Sequence, residues 1–342
     1  MRGFARLCLA LGLIAGTMSL PAVAQAGPAQ PAEASLADLR ASDARVLGIG
    51  YQLATANSAF CSVTENSAGL ALHHIAQYPD AAAARLTFGF ATDYAVLAMV
   101  PDGPAARAGL RADDAIVSLN GRPFAPSSTD LETIDQVAAY RPIAWADATL
   151  RAALNRGEVT LDVLRAGQTL QVTFAGTKAC RSRFELRPSD SYGASADGDI
   201  VGITVPMLTF MADDDELAAI LAHELAHNLL EHRRRLNEAG VQRGLLQQLG
   251  RNARLTLATE IEADRLSIWL MANAGFDPLG AVRFWTRYGK KRGKGIFSAP
   301  THYRWKRRVA LFEEEIATLR ASVQSPRGWS PPLLAAPLQP LQ

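Results

Sequence analysis

Apolar and polar positions follow two rhythms along this chain. Leu36, Leu39, Ala44, Leu47 and Tyr51 recur every three or four residues, which predicts a largely helical segment over residues 36–60. The rhythm then shortens. Residues 95–100 (AVLAMV), 115–119 (AIVSL), 159–164 (VTLDVL) and 169–174 (TLQVTF) read as strands, the last two joined as a hairpin through Arg165-Ala-Gly-Gln168. Asn120-Gly121 is a tight-turn signal, while Pro104 opens and Gly109 ends a short helix. Residues 200–205 predict one more strand, and residues 206–211 a short connector. Helical spacing returns with Leu217, Ile220, Leu221, Leu225, Leu229 and Leu230, behind an acidic N-cap at Asp213-Asp-Asp-Glu216. A second helical run passes from Thr259 through Trp269 and Met271 to Gly275. Helices surrounding a β-rich insert predict an α+β protein.

The chain has 342 residues, room for two domains, and its 49% apolar and 20% charged residues are a globular composition. A net charge of +2 gives no reason to expect nucleic acid as a partner. Residues 1–26 have the form of a secretory signal peptide: Arg2 and Arg6, a 14-residue apolar run over residues 7–20, then small residues at 22–24 and 24–26. The run is shorter than the ~20 residues a spanning helix needs. Residues 27–35 read as a Pro- and Ala-rich leader. Export removes Cys8 and leaves Cys61 and Cys180, which in an oxidising compartment are expected to pair.

The candidate chemistry lies in HELAH. His223 and His227 stand four residues apart, about 40° around a helix, so both imidazoles reach one ion. Glu224 stands beside them, placed to take a proton from a metal-bound water. His232, nine residues from His223, falls about 180° around a continuous helix and reads as a surface residue. A hydrolytic zinc needs three protein ligands and an open position. The HExxHxxGxxH route fails, because Leu230 and Arg233 hold the required positions. A carboxylate from the second helix is the other route. There Glu260 and Asp264 share a face while Glu262 points elsewhere, so Glu260 suits a ligand and Asp264 an acceptor for a ligating imidazole. His73 and His74 show no ligand pattern.

VPDGPAARAGLRADDAIVSLNGRPF and VTLDVLRAGQTLQVTF resemble a PDZ domain of bacterial envelope proteases, covering residues 82–176. Asp113 departs from it, since such domains usually have glycine there. The resemblance implies a peptide-carboxylate loop around Phe88, Gly89 and Phe90, and a Cys61–Cys180 bond would tie the base of the insert. HELAH followed by EIEAD resembles the HtpX, BepA and CAAX-prenyl-protease family of zinc metallopeptidases, as do DDDELAAIL and the THYRWKRR of residues 301–308. Tyr303 stands where the family usually has proline. The resemblance implies a zincin-like, mainly helical domain with a small sheet, split into residues 36–81 and 177–322 around the insert. It also implies one zinc held by His223, His227 and Glu260. His302 would then lie near the substrate, and Arg308 would pair with Asp264 or another acid near the metal.

These readings predict an exported metalloendopeptidase, soluble or peripheral in a bacterial periplasm, acting on unfolded or misassembled envelope proteins. A zinc-bound PDZ scaffold without catalysis and an aminopeptidase are the rivals. Residues 283–308 hold ten basic and no acidic side chains, either a solvated face or a contact for anionic lipid. The glycine- and lysine-rich residues 289–295 read as a mobile loop near the site, and residues 323–342, with five prolines, as a disordered tail.

Overall fold

The computed structural model describes residues 35–242, 250–292 and 304–341. The signal-peptide reading and His302 therefore lie outside the described residues. Ser35 caps α1 (Leu36–Ala56): its hydroxyl accepts from the Asp38 amide while Asp38 accepts from the Ser35 amide. The chain continues through β1 (Thr64–Ser67), β2 (Leu70–His74), α2 (Ala81–Phe88), β3 (Tyr94–Met99), α3 (Pro104–Arg107) and β4 (Ala115–Leu119). Then come β5 (Arg122–Pro123), α4 (Ser128–Glu132), α5 (Arg141–Arg156), β6 (Val159–Arg165), β7 (Gln168–Phe174) and β8 (Thr177–Cys180).

Six of these strands form one sheet in the order β2-β3-β4-β6-β7, with β5 on β4. Val96, Ile116, Leu161 and Val163 pack there against Ile143, Leu150 and Leu154 of α5. The predicted hairpin is β6–β7, turning at Ala166 and Gly167 with φ of 50° and 79°. Asn120 and Gly121 likewise turn with φ of 52° and 73°, the left-handed pair that suits strand twist. The sheet begins at Leu70, ahead of the expected boundary at residue 82. Its first strand reads LALHH, and His73, buried at 1% exposure, breaks the apolar alternation that would mark a strand.

The base of this module is closed twice. β1 pairs antiparallel with β8 from Thr64↔Cys180 to Ser67↔Thr177. Cys61 and Cys180 form a disulfide across the same place, Cα–Cα 5.5 Å. Asp113 explains its own departure from glycine. Its φ is 68°, a conformation aspartate tolerates better than most residues, and its carboxylate is paired with Arg40 of α1.

After β8 come β9 (Arg183–Arg187), β10 (Ala194–Ala196) and β11 (Ile200–Thr204), ordered β10-β11-β9 with β11 parallel to β9. The expected connector after β11 is itself helical, α6 (Val205–Phe210). The remaining helices are α7 (Asp214–Leu229), α8 (His232–Glu238), α9 (Gly250–Asn273), α10 (Leu279–Arg292) and α11 (Trp305–Ala321). Leu53, Leu221, Leu225, Leu266, Phe284 and Phe312 bring α1, α7, α9, α10 and α11 into one core. The expected loop over residues 289–295 is corrected at its start, because α10 runs through Arg292.

The Pro-rich tail is ordered where disorder was expected. Trp329, Leu333, Leu334 and Leu338 pack on the helical core. Asn273 Nδ2 donates to the Trp329 carbonyl at 3.0 Å, and Trp329 N donates back to Asn273 Oδ1 at 2.8 Å. The prolines remove amide donors, but the apolar residues between them supply the anchor. Among the described residues no helix is long and apolar enough to cross a membrane.

Candidate metal centre

α7 starts where its sequence predicts, with the Asp213 carboxylate accepting from the Glu216 amide at 2.8 Å. α7 and α9 pack against each other, which brings HELAH opposite EIEAD. His223 Nε2 and His227 Nε2 lie 3.2 Å apart. Glu260 completes the group, with Oε2 3.6 Å from His223 Nε2 and Oε1 3.5 Å from His227 Nε2. Donors bound tetrahedrally about 2.1 Å from a zinc ion stand roughly 3.4 Å from one another. The three groups therefore fit that ion in chemistry and in spacing.

The other ring nitrogens are already engaged. His223 Nδ1 lies 2.8 Å from Asp264 Oδ1, and His227 Nδ1 lies 2.9 Å from His232 Nδ1. Both Nε2 atoms are thus left to converge with Glu260. Arg308, buried at 3% exposure, pairs with Asp264 and lies over the Trp285 ring at 3.6 Å from its centroid. Arg308 thereby meets the carboxylate the family resemblance implied. Burial pushes the His227 pKa well below its ordinary value, and the neighbouring His223 adds to the effect, so the ring is neutral as a ligand must be.

A cavity of about 510 Å³ opens beside these groups, lined by Glu224, Thr259, Tyr192, Tyr288 and the β10 residues Ala194 and Ala196. β10 is the end strand of its sheet. Asn228, buried one residue beyond His227, fixes this strand region to α7. Its Oδ1 accepts from Gly198 N at 2.7 Å and its Nδ2 donates to Ser182 Oγ at 2.8 Å.

His232 and Glu262 are corrections to the sequence reading. α7 stops at Leu229, and Glu231 has φ of 50°, so α8 sets off in a new direction. His232 consequently turns inward to 2% exposure, where it meets His227 and lies 3.0 Å from Glu262 Oε2. Burial alone would raise the Glu262 pKa, but hydrogen bonds from His232 and Arg235 bring it down to about 2. The available signal was the second acid of EIEAD, which a straight-helix extrapolation sent elsewhere.

The expected carboxylate loop is also corrected. Phe88 and Phe90 are buried against His73 and Tyr78, Gly89 N donates to the Arg85 carbonyl, and Arg40 lies over the Phe88 ring at 4.4 Å. This is the capped end of α2, where Gly89 turns with φ of 61°. β2 is one edge strand of the sheet, and β7 is the other. Beside β2 lies a cavity of about 880 Å³, walled by Leu70, Leu72, Ile143 and Leu150 on one side and by Leu39 and Leu47 of α1 on the other. His73 packs inside the module against Phe88, Phe90 and Tyr78. Burial drives His73 down to about pKa 3, and its Nδ1 meets the Tyr78 hydroxyl at 2.8 Å.

The basic segment is narrower than its sequence suggests. Arg283 pairs with Asp213, Asp215 and Asp277, Arg287 with Glu216, and Arg308 with Asp264.

Helices that converge two imidazoles and a carboxylate beside a glutamate-bearing cleft define a metallopeptidase class of site. Comparison with known families agrees: residues 191–255 match peptidase family M48, and residues 96–140 match a PDZ domain. The family resemblance is borne out, with HELAH inside the matched residues and EIEAD, at residues 260–264, beyond them. Over 129 aligned positions the chain is 30% identical to the mitochondrial metalloendopeptidase OMA1 of Schizosaccharomyces pombe, covering 32% of this chain and 38% of that protein. The chain thus spans well under half the length of that relative.

Proposed function

We propose that this chain is an exported zinc-dependent endopeptidase that cleaves unfolded or misassembled envelope proteins. The observation that carries the reading is the convergence of His223 Nε2, His227 Nε2 and Glu260 within 3.6 Å, beside Glu224 in an open cleft. Zinc bound there supplies a Lewis acid and lowers the pKa of water into the neutral range. The Glu224 carboxylate accepts a proton from the attacking water and returns it to the leaving amide nitrogen. The free edge of β10 orients an extended substrate by strand addition. Arg308 and Asp264 hold His223 in place from behind.

An endopeptidase is favoured over an aminopeptidase by the lining of the cleft. Among the described residues its carboxylates are Glu224 and Glu260, both already assigned, so no other described acidic side chain lines it to anchor a substrate amino group. The Cys61–Cys180 disulfide supports an oxidising compartment, consistent with the signal-peptide pattern and a periplasmic location. The β2 edge and its cavity support the PDZ module as a peptide-binding partner of the catalytic part.

The deciding experiment compares wild type and Glu224→Gln, matched for zinc content, on unfolded casein. Cleavage by the wild type alone is expected. Equal cleavage by both would end the proposal, and binding without cleavage by either would favour the scaffold.

A further inference from the structure

A row of hydrogen bonds leads from the C-terminal tail to His227. The Gln339 carbonyl accepts from Arg235 Nε at 3.0 Å. Arg235 Nη1 donates to Glu262 Oε2 at 2.6 Å and to the Leu230 carbonyl, just past the end of α7, at 3.3 Å. The same Glu262 oxygen lies 3.0 Å from His232 Nε2, and His232 Nδ1 lies 2.9 Å from His227 Nδ1. His232 and Arg235 are both buried.

This geometry dictates where the protons sit. A carboxylate only accepts, so the His232 proton is on Nε2 and a lone pair is on its Nδ1. The bond between the two rings then requires a proton on His227 Nδ1. That leaves the His227 Nε2 lone pair directed toward His223 and Glu260. His223 is held by a carboxylate directly, through Asp264, whereas a carboxylate holds His227 through an intervening imidazole. Glu231 makes the arrangement possible, because its left-handed backbone turns His232 back toward the site.

Resting on the zinc reading above, we propose that His232, Glu262 and Arg235 are positioning residues that fix the tautomer and ring plane of His227, with the tail carbonyl of Gln339 holding the outer end. Phenylalanine at position 232 would fill similar volume and offer no acceptor. A residue needed only for packing would tolerate that change, whereas one that sets a tautomer would not.

The test measures zinc dissociation constants by chelator competition on the purified full-length protein. His232→Phe should weaken zinc about 10–100-fold, the usual effect of losing such an outer partner. Glu262→Gln, whose amide oxygen still accepts from His232, should weaken it much less. Imidazole ¹⁵N shifts of the zinc-loaded wild type give a readout independent of any variant's folding. They should place the protons on His232 Nε2 and His227 Nδ1. An unchanged constant in folded His232→Phe, or a proton on His232 Nδ1, overturns the proposal. Casein digestion on the same samples separates the two claims: wild type that binds zinc and spares casein sinks the endopeptidase reading alone. Wild type that binds no zinc overturns both.

Discussion

Asp264 Oδ1 lies 2.8 Å from His223 Nδ1, and the same carboxylate neutralises the buried guanidinium of Arg308. One side chain therefore orients an expected metal ligand and balances a buried charge. Asp264→Ala should weaken zinc binding about 10–100-fold. It should also destabilise the fold by up to about 3–5 kcal/mol, because the buried Arg308 loses the carboxylate it pairs with. Chelator competition and urea unfolding check the two effects. Wild-type values in both would show that Asp264 holds neither neighbour.

The disulfide closes a loop with a sequence separation of 119. In the chain-entropy model such a crosslink contributes about 5 kcal/mol by restricting the unfolded chain. Replacing both Cys61 and Cys180 with alanine should lower the urea midpoint accordingly. An unchanged midpoint would mean that the β1–β8 ladder closes the module without help from the covalent bond.

Asp43, on the α1 wall of the large cavity, gives a pH signature. Burial, with the charge of Glu185 adding to it, pushes its pKa up to about 7 against a backbone hydrogen bond from Leu186. An unfolded chain releases this proton near pH 4. Between the two values the folded state holds the extra proton, so this contribution is greatest below about pH 4 and is lost as pH rises through about 7. Subtracting the stability of Asp43→Asn from that of wild type at each pH should reveal the decline. A difference that stays flat across that window would refute the assignment.

Gly280 lets α10 approach the start of α7. A Cβ at this position would lie 2.6 Å from the Asp215 carbonyl oxygen, a backbone atom with little freedom to retreat. Gly280→Ala should cost about 1–3 kcal/mol from overpacking, despite the better helix propensity of alanine. A gain in melting temperature would show that the two helices separate easily.

The sequence by itself determined the features that depend on a few consecutive residues. Helical spacing put His223, Glu224 and His227 together, and put Glu260 and Asp264 on one face, because residues four apart share a face of any regular helix. Turn chemistry fixed the β6–β7 hairpin and the Asn120-Gly121 turn for the same local reason. Only the tertiary structure decided which elements meet. The break at Glu231 reversed the expected direction of His232, since a periodicity extrapolated through a helix end carries no information about the next element. The carboxylate loop was sought at Phe88–Phe90 by motif order, but the edge strand that borders the large cavity is β2, and an edge is defined by strand pairing between distant segments. The tail was read from its prolines, while its order comes from Trp329, Leu333 and Leu338 meeting a core assembled from helices far away in the chain. Local spacing chooses the chemistry each helix can present, and packing between helices chooses which of those groups converge.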